Sequence, residues 1–121
     1  MNPADTVHAL AALAQETRLK IFRLLVQAGP DGLAAGVIGA QLGVPANTLS
    51  FHLKNLSQAG LLVARQEGRF IHYAADYAAM DELIAFLTAN CCQGNGDCLP
   101  KTAAVATTTQ RRAQLDKEIT S

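Results

Sequence analysis

Apolar residues recur at helical spacing in successive stretches of the chain, and clusters of glycine and proline separate these stretches. Asn2, Pro3 and Asp5 predict a helix start: a capping side chain, a proline where its missing N–H is harmless, and an acid near the positive end of the helix dipole. Val7, Leu10 and Leu13 form its apolar spacing. From Glu16 a second helix runs through Leu19, Phe22, Leu25 and Val26, and Gly29-Pro30-Asp31-Gly32 stops it. Leu33, Val37, Ile38 and Leu42 predict a third helix, in which Gly36 and Gly39 each cost about 1 kcal/mol against alanine. Gly43-Val44-Pro45 then makes a tight connection to a fourth helix. There Leu49, Leu53 and Leu56 share one face, while Asn47, Thr48, Ser50, Phe51, Lys54 and Asn55 occupy others, and Gly60 ends it.

The pattern changes to two short strands, Leu61 to Arg65 and Phe70 to Ala74, joined around Gln66-Glu67-Gly68-Arg69. Asp76 can cap a last helix with an apolar stripe of Tyr77, Met80, Leu83, Ile84, Leu87 and Cys91, and Gly94 is its expected terminator. Two short helices around a tight connection, followed by a hairpin, fit a mainly helical winged helix-turn-helix. Such a unit places its second helix in the major groove of DNA. On the outer face Asn47 suits an adenine edge, Thr48 and Ser50 suit bases or phosphates, Phe51 a thymine methyl and Lys54 a phosphate. Arg65 and Arg69, flanking the hairpin tip, suit the backbone or the minor groove. His52 and His72 are expected in structural roles beside the core.

Charge supports this arrangement weakly. The 121 residues hold ten Lys and Arg against ten Asp and Glu, which excludes a strongly basic nucleic-acid tail. Residues 1–75 carry six basic and four acidic side chains, and residues 76–121 carry four and six, so the hairpin-bearing half is slightly positive. The length suits one domain, expected over 1–98, followed by a patternless tail, 99–121. No apolar run approaches the ~18 residues of a membrane span, and the first residues lack the blocks of a secretory signal. We therefore expect a cytoplasmic protein with no membrane or lipid partner. The apolar stripes of the first and last helices call for a partner surface. A homodimer supplies one and presents two reading helices about 34 Å apart to palindromic double-stranded operator DNA.

The remaining chemistry lies in Cys91, Cys92 and Cys98, three soft ligands within eight residues, with Gly94 and Gly96 permitting a reversal between them. Structural zinc normally takes four ligands, whereas pyramidal As(III) or Sb(III) is satisfied by three sulfurs. The alternatives are ordinary thiols, a redox sensor, or a site for Cd(II), Pb(II) or Hg(II). Catalysis is disfavoured because no histidine is adjacent in sequence and no charge relay is apparent, so no enzyme is expected. A helical dimer recruiting another protein through its wing is the reading without DNA.

Four segments carry a family resemblance: Ala14-Gln-Glu-Thr-Arg18-Leu-Lys-Ile21, Thr48-Leu-Ser50-Phe-His52-Leu53, Gly60-Leu61 and Gly68-Arg69-Phe70-Ile71-His72-Tyr73. Together they resemble the ArsR/SmtB family of metal- and metalloid-responsive repressors, over about half the chain. The resemblance implies repression of a resistance or efflux operon and release of DNA when an inducer binds. The cysteines some members carry before the recognition helix are replaced here by Ala34, Gly36 and Gly39. The zinc site of others retains only Asp76, with Ala78 and Met80 where histidine is required. Cys91, Cys92 and Cys98 resemble the alternative arsenical site of one branch, which implies As(III) or Sb(III) as inducer. The resemblance also supports DNA contacts by Asn47, Thr48, Ser50 and Phe51. Pro45 departs from the hydroxylated cap common at the start of the recognition helix.

Overall fold

The structure, a computed structural model, describes residues 1–91. Its elements run α1 (Pro3–Leu13), α2 (Glu16–Ala28), β1 (Leu33–Ala34), α3 (Ala35–Leu42), α4 (Ala46–Gln58), β2 (Leu62–Glu67), β3 (Phe70–Ala75) and α5 (Tyr77–Thr88). This is a winged helix-turn-helix: α3 and α4 are the helical pair, and β2 and β3 are the wing. Met1–Phe86 form one compact unit, and the boundary expected after residue 98 lies outside the described residues, as does the terminator Gly94.

The helix starts follow capping chemistry. The Asn2 side chain accepts the Asp5 N–H at 2.8 Å with Pro3 at the first helical position. Gln15 accepts the Arg18 N–H at 2.8 Å to open α2, and Asp76 accepts the Ala79 N–H at 3.0 Å to open α5. Pro45 opens α4 with no side-chain hydrogen bond. Part of its place is taken two residues on, within the first turn, where Asn47 Oδ1 accepts the Thr48 N–H at 2.9 Å.

The sheet has three antiparallel strands in the order β1-β3-β2. Leu33, expected in a helix, instead pairs with Tyr73, and Ala34 pairs with His72. Two residues are too few to show strand alternation, so this pairing is set by β3 rather than by local pattern. The wing register runs from Leu62 opposite Ala75 to Glu67 opposite Phe70, slightly longer than the two expected strands. Close backbone approach explains two glycines. A Cβ on Gly39 would lie 3.0 Å from the Val44 carbonyl oxygen, so glycine here allows the tight connection between α3 and α4. Gly32, at φ 73°, packs on the Tyr73 carbonyl, with which a Cβ would collide.

Ile21, Leu25, Ile38, Leu53, Leu56 and Leu61 are fully buried at the centre of the core, each contributing about 1.5 to 3 kcal/mol by removal from water. On α1 the buried face is Thr6, Ala9 and Ala12, and of the expected Val7–Leu10–Leu13 stripe only Leu13, partly buried, packs against the core. Small side chains let α1 approach its neighbours closely, and the Thr6 hydroxyl is satisfied by the Asn2 carbonyl at 2.9 Å. Val7 and Leu10 are left exposed. The stripe of α5 also falls short of Cys91: the helix ends at Thr88, and the chain turns at Asn90, whose φ of 58° asparagine tolerates. The Tyr77 hydroxyl holds the start of α5 by donating to the Val26 carbonyl at 2.9 Å, near the end of α2.

Gly32→Ala should lower the thermal midpoint by destabilising the fold more than about 1 kcal/mol, since both the left-handed backbone and the contact with Tyr73 oppose a methyl group. Gly36→Ala, where a Cβ meets no atom within 4 Å, should leave the midpoint unchanged or raise it.

Candidate nucleic-acid interface and inducer site

Helix α4 is two-faced. At about 100° per residue, Leu49, His52, Leu53 and Leu56 fall within one arc of about 100°, and all four are buried. Asn47, Ser50, Phe51 and Lys54 fall within a roughly opposite arc and are exposed, with Thr48 exposed between the two arcs. Phe51 is the unusual member, an aromatic side chain 60% exposed whose ring meets that of His52 edge-on at 5.5 Å. Asn47 has its side-chain oxygen engaged by the Thr48 N–H, so its amide protons are the groups most readily offered outward. The side chain of Lys54 makes no ion pair or hydrogen bond among the described residues.

The wing sorts its two arginines. Arg65 Nε lies 2.8 Å from Glu67 Oε2, and its Nη2 donates to the Asp31 carbonyl at 3.1 Å. Its charge is therefore largely matched within the protein. Arg69, beside Gly68 in the turn, makes no side-chain hydrogen bond or ion pair among the described residues and is exposed. His72, half-buried across the wing from Arg65, has its Nδ1 3.8 Å from Glu67 Oε1 with no hydrogen-bond partner.

Beneath α4, residues distant in sequence meet. Arg18 Nε donates to the Ala12 carbonyl at 2.7 Å, and Nη1 lies 3.3 Å from His52 Nδ1. Arginine is always a donor, so Nδ1 is the acceptor and the ring carries its proton on Nε2. Burial, and secondarily the Arg18 charge, hold the His52 pKa below its ordinary 6.5, which keeps that acceptor available at neutral pH. The structural role expected of His52 is thus met by a partner 34 positions away, which no local pattern signals.

Cys91 follows α5 and is half-buried; Cys92 and Cys98 lie outside the described residues. Among the described residues no three His, Cys, Asp or Glu side chains converge as a metal site. The positions Ala34, Gly36 and Gly39 carry no ligand atoms. No helix among the described residues is long and apolar enough to cross a membrane.

Residues 13–65 match the helix-turn-helix domain family. Over 88 residues the chain is 31% identical to a homologue of the cadmium resistance transcriptional regulatory protein CadC from Staphylococcus aureus, covering 71% of both chains. Over 67 residues it is 39% identical to a provisionally named arsenical resistance operon repressor ArsR of Halobacterium salinarum, covering 55% of this chain and 51% of that protein. The chain spans about half the length of the first curated relatives it matches. Among solved structures, the homodimeric winged helix-turn-helix DNA-binding domain of Mb0332 from Mycobacterium bovis is 28% identical with a TM-score of 0.57, over 76% of this chain and 85% of that one. Fold and sequence together define a winged helix-turn-helix transcriptional regulator. The chain belongs to the ArsR/SmtB family, whose members are DNA-binding regulators rather than enzymes.

The depressed His52 pKa fixes a sign. The unfolded chain takes up a proton at this histidine more readily than the native one, so the stability tied to a neutral His52 is present above pH 6.5 and is lost as the pH falls from there toward the lowered native value. Urea midpoints measured between about pH 7.5 and 5.5 should fall more steeply for the wild type than for His52→Asn, which has no proton to gain.

Proposed function

We propose that the chain is a homodimeric repressor that holds double-stranded operator DNA through the outer face of α4 and the wing, and releases it when As(III) or Sb(III) binds Cys91, Cys92 and Cys98. The observation that carries the DNA reading is the division of α4: four buried side chains anchor it, and the opposite arc offers amide, hydroxyl, aromatic and ammonium groups to a groove. Asn47, Thr48, Ser50 and Phe51 read base edges, and Lys54 and Arg69 meet phosphates. Arg65, already paired, is a minor contributor.

Dimerisation is supported by the apolar side chains that the single chain leaves in water. Val7, 62% exposed, and Leu10 lie on α1, and Ile84, Phe86 and Leu87 lie on α5. The similar Mb0332 domain is homodimeric, which supports this reading. A second copy also provides the second reading helix that a palindromic site requires.

The inducer reading rests on donor chemistry and on the arsenical and cadmium resistance names of relatives. Arsenous acid, As(OH)₃, would exchange its three hydroxyl groups for three thiolates, the three thiol protons leaving with them as water. A cytoplasmic, reducing setting keeps the thiols available. Cys91, the first of the three, lies three residues beyond the end of α5, the helix whose exposed face is proposed to serve the dimer. A tenfold loss of DNA affinity requires only about 1.4 kcal/mol of coupling. The cadmium resistance relative favours a soft divalent cation as the second reading. X-ray absorption of the arsenite complex separates the two, three sulfurs without oxygen being the expected first shell.

Gel shifts of reduced protein on its own promoter DNA should show release by arsenite. Cys98→Ser should retain DNA binding and need at least about tenfold more arsenite, and unchanged release would overturn the three-sulfur site. Arg69→Ala should weaken binding to all duplexes and reduce the salt slope by about 1, while Arg65→Ala should change the slope less.

A further inference from the structure

We propose that Arg18 is a positioning residue for DNA reading, setting the rotation of α4 about its own axis relative to the end of α1. The inference rests on the proposed role of α4 as the reading helix. One planar guanidinium holds two elements at once, the Ala12 carbonyl in the last turn of α1 at 2.7 Å and His52 Nδ1 in the middle of α4 at 3.3 Å. The arginine is itself anchored, because its N–H is the one that Gln15 accepts at 2.8 Å to open α2. Three helices therefore meet at one residue.

Burial of Leu49, Leu53 and Leu56 turns their face of α4 inward without itself specifying an angle, since the hydrophobic effect has no direction. A hydrogen bond does have direction, and weakens steeply when misaligned. His52 is the one buried polar side chain of α4, and it sits at the edge of the buried arc. A small turn of the helix would misalign the bond to Arg18, and would also re-aim Asn47, Ser50, Phe51 and Lys54 together. The bond's other end lies on α1, which carries the exposed Val7 and Leu10. Arg18 thus refers the reading face to the helix proposed to meet the second copy.

The test uses the full-length reduced protein and a duplex enriched by the wild type from a randomised pool, with a scrambled duplex of equal length as reference. Arg18→Met and His52→Leu should each weaken binding to the enriched duplex about tenfold and leave the scrambled duplex within about twofold. The double variant should be no weaker than the worse single one, because both remove the same bond. His52→Asn, which keeps an acceptor near Nδ1, should stay within about threefold of the wild type. Losses that multiply in the double variant, or that fall equally on both duplexes, overturn the proposal. So does His52→Asn losing as much as His52→Leu, a comparison that decides the matter even where Arg18→Met fails to fold. A wild type that enriches no duplex overturns the DNA reading and this proposal with it, whereas enrichment by the wild type with unchanged variants overturns this proposal alone.

Discussion

A helix of thirteen residues in this protein must be buried deeply enough to stay in place while leaving an opposite face wet. That constraint on α4 organises most of what surrounds it. Leucine at positions 49, 53 and 56 meets the first demand at helical spacing, and the polar residues between them meet the second. The glycine at position 39 belongs to the same solution, since a bulkier residue would press on Val44 and Leu49 and open the angle between α3 and α4. The wing then extends beside this pair, its register set by backbone pairing from Leu62–Ala75 to Glu67–Phe70.

Charge is distributed with the same economy. Cations that serve the fold are tied down: Arg18 to a carbonyl and an imidazole, Arg65 to Glu67 and the Asp31 carbonyl, Lys20 to Glu16 at 3.1 Å. Lys54 and Arg69 keep their charges for other contacts. An exposed pair such as Lys20–Glu16 adds little to stability, whereas the half-buried Arg18 satisfies polar groups that would otherwise be costly to enclose. A chain with no net charge can therefore still present a local positive surface.

Helix α1 illustrates how the choice of small residues divides labour. Ala9 and Ala12 bring its backbone close to the rest of the unit, so its larger side chains, Val7 and Leu10, are displaced to the outside. An apolar surface left open in this way is costly for a monomer and useful for a homodimer. In the proposed mechanism the two helices with such surfaces, α1 and α5, join what happens near Cys91 to the spacing of two copies of α4.

Much of this was legible in the chain. Helical spacing locates α2, α4 and α5; turn residues mark the ends of α2 and α4, whereas α5 stops at Thr88, short of the expected stripe to Cys91; Asn2 and Asp76 announce the caps of α1 and α5; and the segments from Ala14 to Tyr73 carry the family. These features are local, so a few neighbouring residues suffice to express them. Val7, Leu10 and Ala9 are all compatible with burial on the inner face of α1, and only the distance of closest approach between helices selects the small residue. Leu33 carries no local strand signal, because a two-residue strand exists only through its partner on β3. The division between Arg65 and Arg69, and the meeting of Arg18 with His52, needed the folded chain for the same reason: a hydrogen bond depends on ångström distances between residues far apart in sequence, and those distances are set only when the whole core has closed.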